Sequence, residues 1–125
     1  MARIMIVDDA ATVRMYHREL VEALGHEAVE AENGIEALEK ALGRSWALFL
    51  VDVNMPKMDG YRLVQELRQR KELAAVPVVM VSTEAEAGDR ERAWAAGANH
   101  YLVKPVRPET LQALVRALVG EEVAA

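Results

Sequence analysis

The chain has 125 residues, and its 15 Lys+Arg against 20 Asp+Glu leave a formal net charge of −5 at pH 7; that length and a 52% hydrophobic, 28% charged make-up fit one ordinary globular domain. It holds no Cys, which excludes a disulfide framework, a thiolate zinc site, an iron–sulfur cluster and a cysteine nucleophile. Net acidity and the lack of any basic run longer than Arg68-Gln69-Arg70-Lys71 argue against direct nucleic-acid binding, and no apolar stretch suits a signal peptide or membrane span, so the expected address is the cytoplasm.

The run Ile4-Met5-Ile6-Val7 is the first predicted strand, β1, continuously apolar as a strand buried on both faces of a parallel sheet must be. Helix α1 is expected over 12–24, with Val13, Tyr16, Leu20 and Leu24 along one side and Gly25 just past its end. Strand β2, 27–31, mixes Glu27 and Glu30 with apolar neighbours, which suits a sheet edge. Asn33 caps α2, whose apolar stripe is Ile35, Leu38 and Leu42 and which stops at Gly43. Trp46 is expected to cover the far end of the sheet before β3, the run Leu48-Phe49-Leu50-Val51. Helix α3, 60–69, sets Leu63, Val64 and Leu67 inward and Arg62, Gln65, Glu66 and Arg68 toward water. Strand β4 is expected over 76–81, an Ala-rich α4 over 89–96 with Trp94 as partly buried packing, and β5 over 101–103. Pro108 then opens α5, which carries Leu111, Leu114, Val115 and Leu118.

Strand and helix thus alternate throughout. Such a repeat predicts an α/β fold, a (βα)5 flavodoxin-like three-layer sandwich whose five-stranded parallel sheet has the order 2-1-3-4-5. Ligands of such sheets bind beyond the carboxyl ends of the strands. There β1 delivers Asp8 and Asp9, β3 delivers Asp52, β4 delivers Ser82 and Thr83, and β5 delivers Lys104-Pro105.

Three carboxylates in one crevice repel unless something positive lies among them. All-oxygen ligands select a hard cation, and a shallow site that keeps waters suits Mg²⁺ better than Ca²⁺. A cation, the Lys104 ammonium and a hydroxyl around a carboxylate suit a phosphoryl group. The chain has no Gly-rich nucleotide cradle. The chemistry left is covalent, with Asp52 as the nucleophile that would carry the phosphoryl group as an acyl phosphate.

Asp8-Asp9, Asp52, Ser82, Tyr101 and Lys104-Pro105, with the phrase Asn54-Met55-Pro56-Lys57-Met58-Asp59-Gly60 and the segment Ala96-Gly97-Ala98, resemble the receiver domain of two-component response regulators over essentially the whole chain. The nearest likeness is to single-domain, CheY-like members. The resemblance implies that a histidine kinase phosphorylates Asp52, and that Asp8, Asp9, Asp52 and the backbone carbonyl of Asn54 hold Mg²⁺. It implies that Lys104 binds a phosphoryl oxygen and couples the site to β5, and that the Lys104–Pro105 bond is cis. Ser82 would reach the phosphoryl group in the active state while Tyr101 turns inward, altering an α4-β5-α5 surface read by a downstream protein. Asn54 and Glu84 would flank the path of the hydrolytic water, giving a short-lived phosphoryl group.

On this reading the protein is a signalling switch and not an enzyme acting on other substrates. Residues 1–120 would be one receiver and 121–125 a short frayed tail, with no output domain, so the signal would leave through a protein–protein surface. A monomer is expected, a weak dimer being the alternative. Chemotaxis is one setting the resemblance implies, although Glu84-Ala85-Glu86-Ala87-Gly88 lacks the lysines that chemotaxis members use near their flagellar-motor contact. Ser82 stands where Thr is more usual, and Thr83 fills a position that is usually small.

Two alternatives remain, a Mg²⁺-dependent aspartyl phosphohydrolase and a receiver-like interaction module that is not phosphorylated. A phosphohydrolase of the haloacid-dehalogenase type would place Asp-x-Asp directly after β1, where this chain has adjacent aspartates. A receiver-like module that works without phosphorylation would lack one of the acids or Lys104, and all are present. His17, His26 and His100 share no evident face and are read neither as ligands nor as phosphodonors, and Asp59 is assigned to the turn with Gly60.

Overall fold

The computed structural model describes residues 1–119, so the expected tail at 121–125 lies outside it. The elements are β1 (Arg3–Val7), α1 (Ala11–Glu22), β2 (Glu27–Ala31), α2 (Gly34–Ala41), β3 (Leu48–Asp52), α3 (Gly60–Gln69), β4 (Val78–Ser82), α4 (Ala87–Ala96), β5 (His100–Val103) and α5 (Pro108–Leu118). The sheet is parallel throughout, in the order β2-β1-β3-β4-β5. The more polar β2 takes an edge, as its composition requires.

Two apolar layers flank the sheet. On one side Met5, Phe49, Val51 and Met80 pack against Ala37 and Ala41 of α2, Leu63, Val64 and Leu67 of α3, and Ala93 and Ala96 of α4. On the other, Ile4, Ile6, Leu50 and Val79 meet Val21 of α1 and Leu111 and Val115 of α5. Residues from β1, β3 and β4 therefore serve both layers, and each buried aliphatic or aromatic side chain contributes about 1.5–3 kcal/mol. Trp46 closes the far end: its Nε1–H donates to the Ala41 carbonyl at 3.0 Å, and its ring lies 5.6 Å from that of Phe49. Among the described residues no helix is long and apolar enough to cross a membrane.

Several boundaries and faces differ from the sequence expectation. Helix α4 starts at Ala87 and not at Asp89, because the Asp89 carboxylate accepts the Glu86 N–H at 3.1 Å and draws the preceding residues into the first turn. Strand β4 begins at Val78, after Pro77, which has no N–H to give the ladder. Trp94 is 64% exposed and is not packing, since Ala93 and Ala96 form the buried side of α4. In α2 the buried residues are Gly34, Ala37 and Ala41, while Ile35 is 43% and Leu42 59% exposed. A Cβ at Gly34 would stand 2.8 Å from Met58 Sδ, so a small residue lets the helix seat closely and turns its larger apolar side chains outward.

One arginine ties three elements together. Arg68 on α3 donates from Nε to the Gly97 carbonyl (2.9 Å), from Nη1 to the carbonyls of Ala74 (3.1 Å) and Val76 (2.7 Å), and from Nη2 to Asn99 Oδ1 (2.9 Å). Gly97 has φ +113°, and a Cβ there would sit 2.8 Å from Arg68 Cγ, so both the backbone and the arginine require glycine.

Candidate functional site

The carboxyl edge of the sheet brings the expected residues together. Asp8 and Asp52 are buried and Asp9 is exposed, and the three offer carboxylate oxygens that all lie within 4.8 Å of one another. Asp8 is fixed by the chain around it: its Oδ1 accepts the Ala10 N–H at 2.9 Å, and its carbonyl accepts Arg14 Nη1 at 2.6 Å. Lys104 Nζ bridges the pair, 2.7 Å from Asp8 Oδ2 and 3.1 Å from Asp52 Oδ1. Among the described residues no donor reaches the second oxygen of Asp52, which is left to solvent or a ligand.

The electrostatics follow from this crowding. Burial, and then the Asp8 charge, push the Asp52 carboxyl up to about 6, although Lys104 pulls the other way. Burial alone would lower the Lys104 ammonium, but its hydrogen bond to Asp8 and the two carboxylate charges outweigh that and raise it. One fixed ammonium therefore faces three carboxylates, an imbalance that a hard divalent cation would correct. The donor set fits such an ion in chemistry, being oxygen only, and in spacing.

Strand ends and short loops set the rest of the rim. The Lys104 N–H donates to the Ser82 carbonyl at 2.7 Å, and the Lys104–Pro105 bond is cis, as expected. Ser82 is fully buried, and its Oγ accepts the Glu84 N–H at 3.1 Å. Asn54 Nδ2 donates to Glu84 Oε1 at 3.4 Å, so these two exposed residues are neighbours across the mouth. Tyr101 is already inward: it is buried, and its hydroxyl donates to the Glu84 carbonyl at 2.8 Å. Arg90 adds a guanidinium 5.4 Å from the Tyr101 ring centre. Asp59 caps α3 by accepting the Arg62 N–H at 2.9 Å, consistent with its assignment to the turn. Lys57, in the same loop, has φ +69°, a left-handed conformation for a residue with a side chain.

Sequence reasoning missed the α1 wall. A cavity of about 280 Å³ beside Lys104 is lined by Val13, Tyr16, His17, Thr83, Pro105 and Val106. Tyr16 donates to the Val106 carbonyl at 2.9 Å, and burial pushes the His17 imidazole down. The signal was available: Val13, Tyr16 and His17 stand at helical spacing directly after the acidic pair. His26 is buried at the far end, against the Ala2 N–H, and His100 is exposed at the start of β5.

A doubly wound parallel sheet with an acidic crevice at its carboxyl edge and a lysine just past the last strand defines a flavodoxin-like class of α/β domain. A family profile for the response regulator receiver domain matches residues 4–116, and the chain belongs to that family. It is 34% identical over 120 residues to chemotaxis protein CheY1 of Helicobacter pylori, covering 94% of this chain and 97% of that protein. It is 41% identical over 102 residues to a gliding motility regulatory protein of Myxococcus xanthus, of whose length it spans 13%. Among solved structures, chemotaxis protein CheY4 of Vibrio cholerae superposes with a TM-score of 0.90 at 33% identity, covering 95% of this chain and 99% of that one. The receiver domain of a sensor histidine kinase of Pseudomonas aeruginosa, solved with magnesium in its active-site cleft, superposes with a TM-score of 0.87 at 28% identity, covering 96% and 98%.

Proposed function

We propose that this receiver is a phosphorylation switch in which Asp52 takes a phosphoryl group from a histidine kinase. The observation that carries the reading is Lys104 Nζ held between Asp8 and Asp52 while the other Asp52 oxygen stays free. That free oxygen bonds to phosphorus as the bond from phosphorus to the donor's imidazole nitrogen breaks; the nitrogen keeps the electron pair and takes a proton from solvent. Lys104 holds Asp52 by its other oxygen and offers its charge to an incoming phosphoryl oxygen. Asp8, Asp9, Asp52 and the Asn54 carbonyl would hold Mg²⁺, which when bound supplies neutralisation of the phosphoryl oxygens. Asn54 and Glu84, neighbours across the mouth of the crevice, would flank the path of an attacking water, so the acyl phosphate is expected to last minutes or less.

The readout runs through Glu84. When Ser82 turns its hydroxyl to a phosphoryl oxygen it releases the Glu84 N–H, and Tyr101 holds the carbonyl of the same residue, so the start of α4 must adjust. The α4-β5-α5 face, with Trp94 exposed on it, then presents a changed surface to a protein target. Likeness to CheY proteins over nearly their full length supports chemotaxis as the setting. The protein acts in this scheme as a switch, with self-phosphorylation and self-dephosphorylation as its only chemistry. Incubation with Mg²⁺ and acetyl phosphate, followed by intact mass, tests it: one phosphoryl adduct on the wild type and none on Asp52→Ala is expected. An undiminished adduct on that variant would overturn the assignment.

A further inference from the structure

Two of the three acids in the crevice are held by their side chains. Asp8 engages both oxygens, Oδ1 with the Ala10 N–H at 2.9 Å and Oδ2 with Lys104 Nζ at 2.7 Å, and the same lysine holds Asp52 Oδ1 at 3.1 Å. Asp9 is exposed, and its carboxylate takes no hydrogen bond or ion pair among the described residues. It still lies with the other two, so its direction is set by the main chain.

That main chain is pinned on both sides of Asp9. In the peptide that follows it, the Ala10 N–H is held by Asp8 Oδ1; in the peptide that precedes it, the Asp8 carbonyl accepts Arg14 Nη1 at 2.6 Å. A peptide unit is planar, so fixing its N–H or its carbonyl oxygen orients the whole unit, and two oriented units confine Asp9 to one backbone conformation. Arg14 is itself braced. Its side chain is 14% exposed, and its Nε donates to Glu30 Oε1 at 2.9 Å on β2, the strand whose Ala31 carbonyl takes the Asp8 N–H at 3.1 Å. Glu30 does not depend on Arg14 alone, because Arg18 Nη1 holds its other oxygen at 3.0 Å.

We propose that Arg14 is a positioning residue for the cation site: by gripping the Asp8 carbonyl it sets the Asp8–Asp9 peptide and so aims the Asp9 carboxylate at the ion, touching neither ion nor phosphoryl group itself. This role rests on the reading of the crevice as a Mg²⁺ site. Charge and bracing act with opposite sign. Taking a positive charge away from the neighbourhood of a cation site tightens the site by charge alone, whereas taking away the brace of a ligand weakens it.

Calorimetric titration of Mg²⁺ into the full chain tests this without any phosphodonor. Arg14→Met is expected to weaken Mg²⁺ binding about tenfold and Arg14→Gln to move it the same way, with thermal melts in EDTA to show that each variant folds. Arg18→Met is the control: it too removes a positive charge and a Glu30 ion pair, but Arg18 makes no contact with the Asp8 carbonyl, so Mg²⁺ affinity should stay within about twofold of the wild type. A loss of less than about threefold in both Arg14 variants, tighter binding in either, or an equal loss in Arg18→Met overturns the role of Arg14. A wild-type chain that binds no Mg²⁺ at about 20 mM overturns the reading of the crevice as a cation site, and the role of Arg14 with it; a wild type that binds beside Arg14 variants that bind equally well overturns the role alone.

Discussion

Ser82 and Tyr101 grip the same residue from opposite sides: Ser82 Oγ accepts the Glu84 N–H at 3.1 Å, and the Tyr101 hydroxyl donates to the Glu84 carbonyl at 2.8 Å. No hydrogen bond joins the two directly, so in the proposed switch Glu84 would be the joint that couples them. Its side chain, paired with Asn54, faces the mouth of the crevice while its main chain faces the switch. Ser82→Ala and Tyr101→Phe should therefore be non-additive. Each alone is expected to cost about 1 kcal/mol of stability, with a coupling of about 0.5–1 kcal/mol in a urea-denaturation double-mutant cycle. Strict additivity would mean that the two contacts are independent.

The charge state of Asp52 makes a prediction about stability. Its carboxyl is raised from 3.8 to about 6, so between those pH values the folded chain holds more of this proton than the unfolded chain. The favourable contribution is present below the lower value and is lost as pH rises through the upper one. In EDTA at pH 7.5, Asp52→Asn should raise Tm by about 2–6 °C, and the gain should shrink toward zero near pH 4. Thermal melts across that range give the answer, and a gain that grew on acidification would show the sign to be wrong.

Lys104→Met leaves two buried carboxylates without their ammonium. A loss of about 2–4 kcal/mol is expected in EDTA, because removing one partner strands the others in a poorly solvated crevice. Millimolar Mg²⁺ should recover more stability in this variant than in the wild type, as the cation takes over the neutralising role. Equal Mg²⁺ responses in the two proteins would argue against a shared site.

Gly60 is demanded by contact and not by backbone conformation. A Cβ there would run into the Asp52 carbonyl and lie 2.8 Å from Met80 Cε and 2.9 Å from Val53 Cα. Gly60→Ala should destabilise the fold by about 2–4 kcal/mol and slow phosphoryl uptake, since the nearest displaced atom is the main-chain oxygen of Asp52, the acceptor proposed above. Chemical denaturation and adduct formation from acetyl phosphate, followed in parallel, would check both halves.

Trp94→Ala should change stability by less than about 0.5 kcal/mol, given its exposure, while reducing capture of the phosphorylated protein's target. A large loss of stability would mean that Trp94 packs in solution as the sequence reading expected.

The sheet was legible because both layers need continuous apolar strands, and runs such as Leu48-Phe49-Leu50-Val51 admit few other roles. The crevice was legible because chemistry forced its residues: three acids and a lysine at strand ends can share one place only if something lies among them. Pattern failed where small residues did the packing. Ala93 and Ala96 let α4 sit close and left Trp94 outside, and Gly34, Ala37 and Ala41 did the same to Ile35 and Leu42. Hydrophobic size is a poor guide to facing when a helix must approach a sheet closely. The α1 wall escaped for another reason: His17 and Tyr16 meet Lys104 only after the chain has folded, across a separation that no local motif spans.

Arg68 gives the molecule a fulcrum. By fastening the Gly97 carbonyl and Asn99 to α3, it pins the end of α4 that lies farther from the acidic crevice, while the near end hangs from the Glu84 joint. In the switch proposed above, motion of that joint would become rotation about Gly97, larger toward Glu86 and smaller toward Trp94. A target of the kind proposed above would then keep its hold on the exposed tryptophan in both states and discriminate between them by the tilt of the first turn, so that recognition and state-reading would fall to different stretches of one helix.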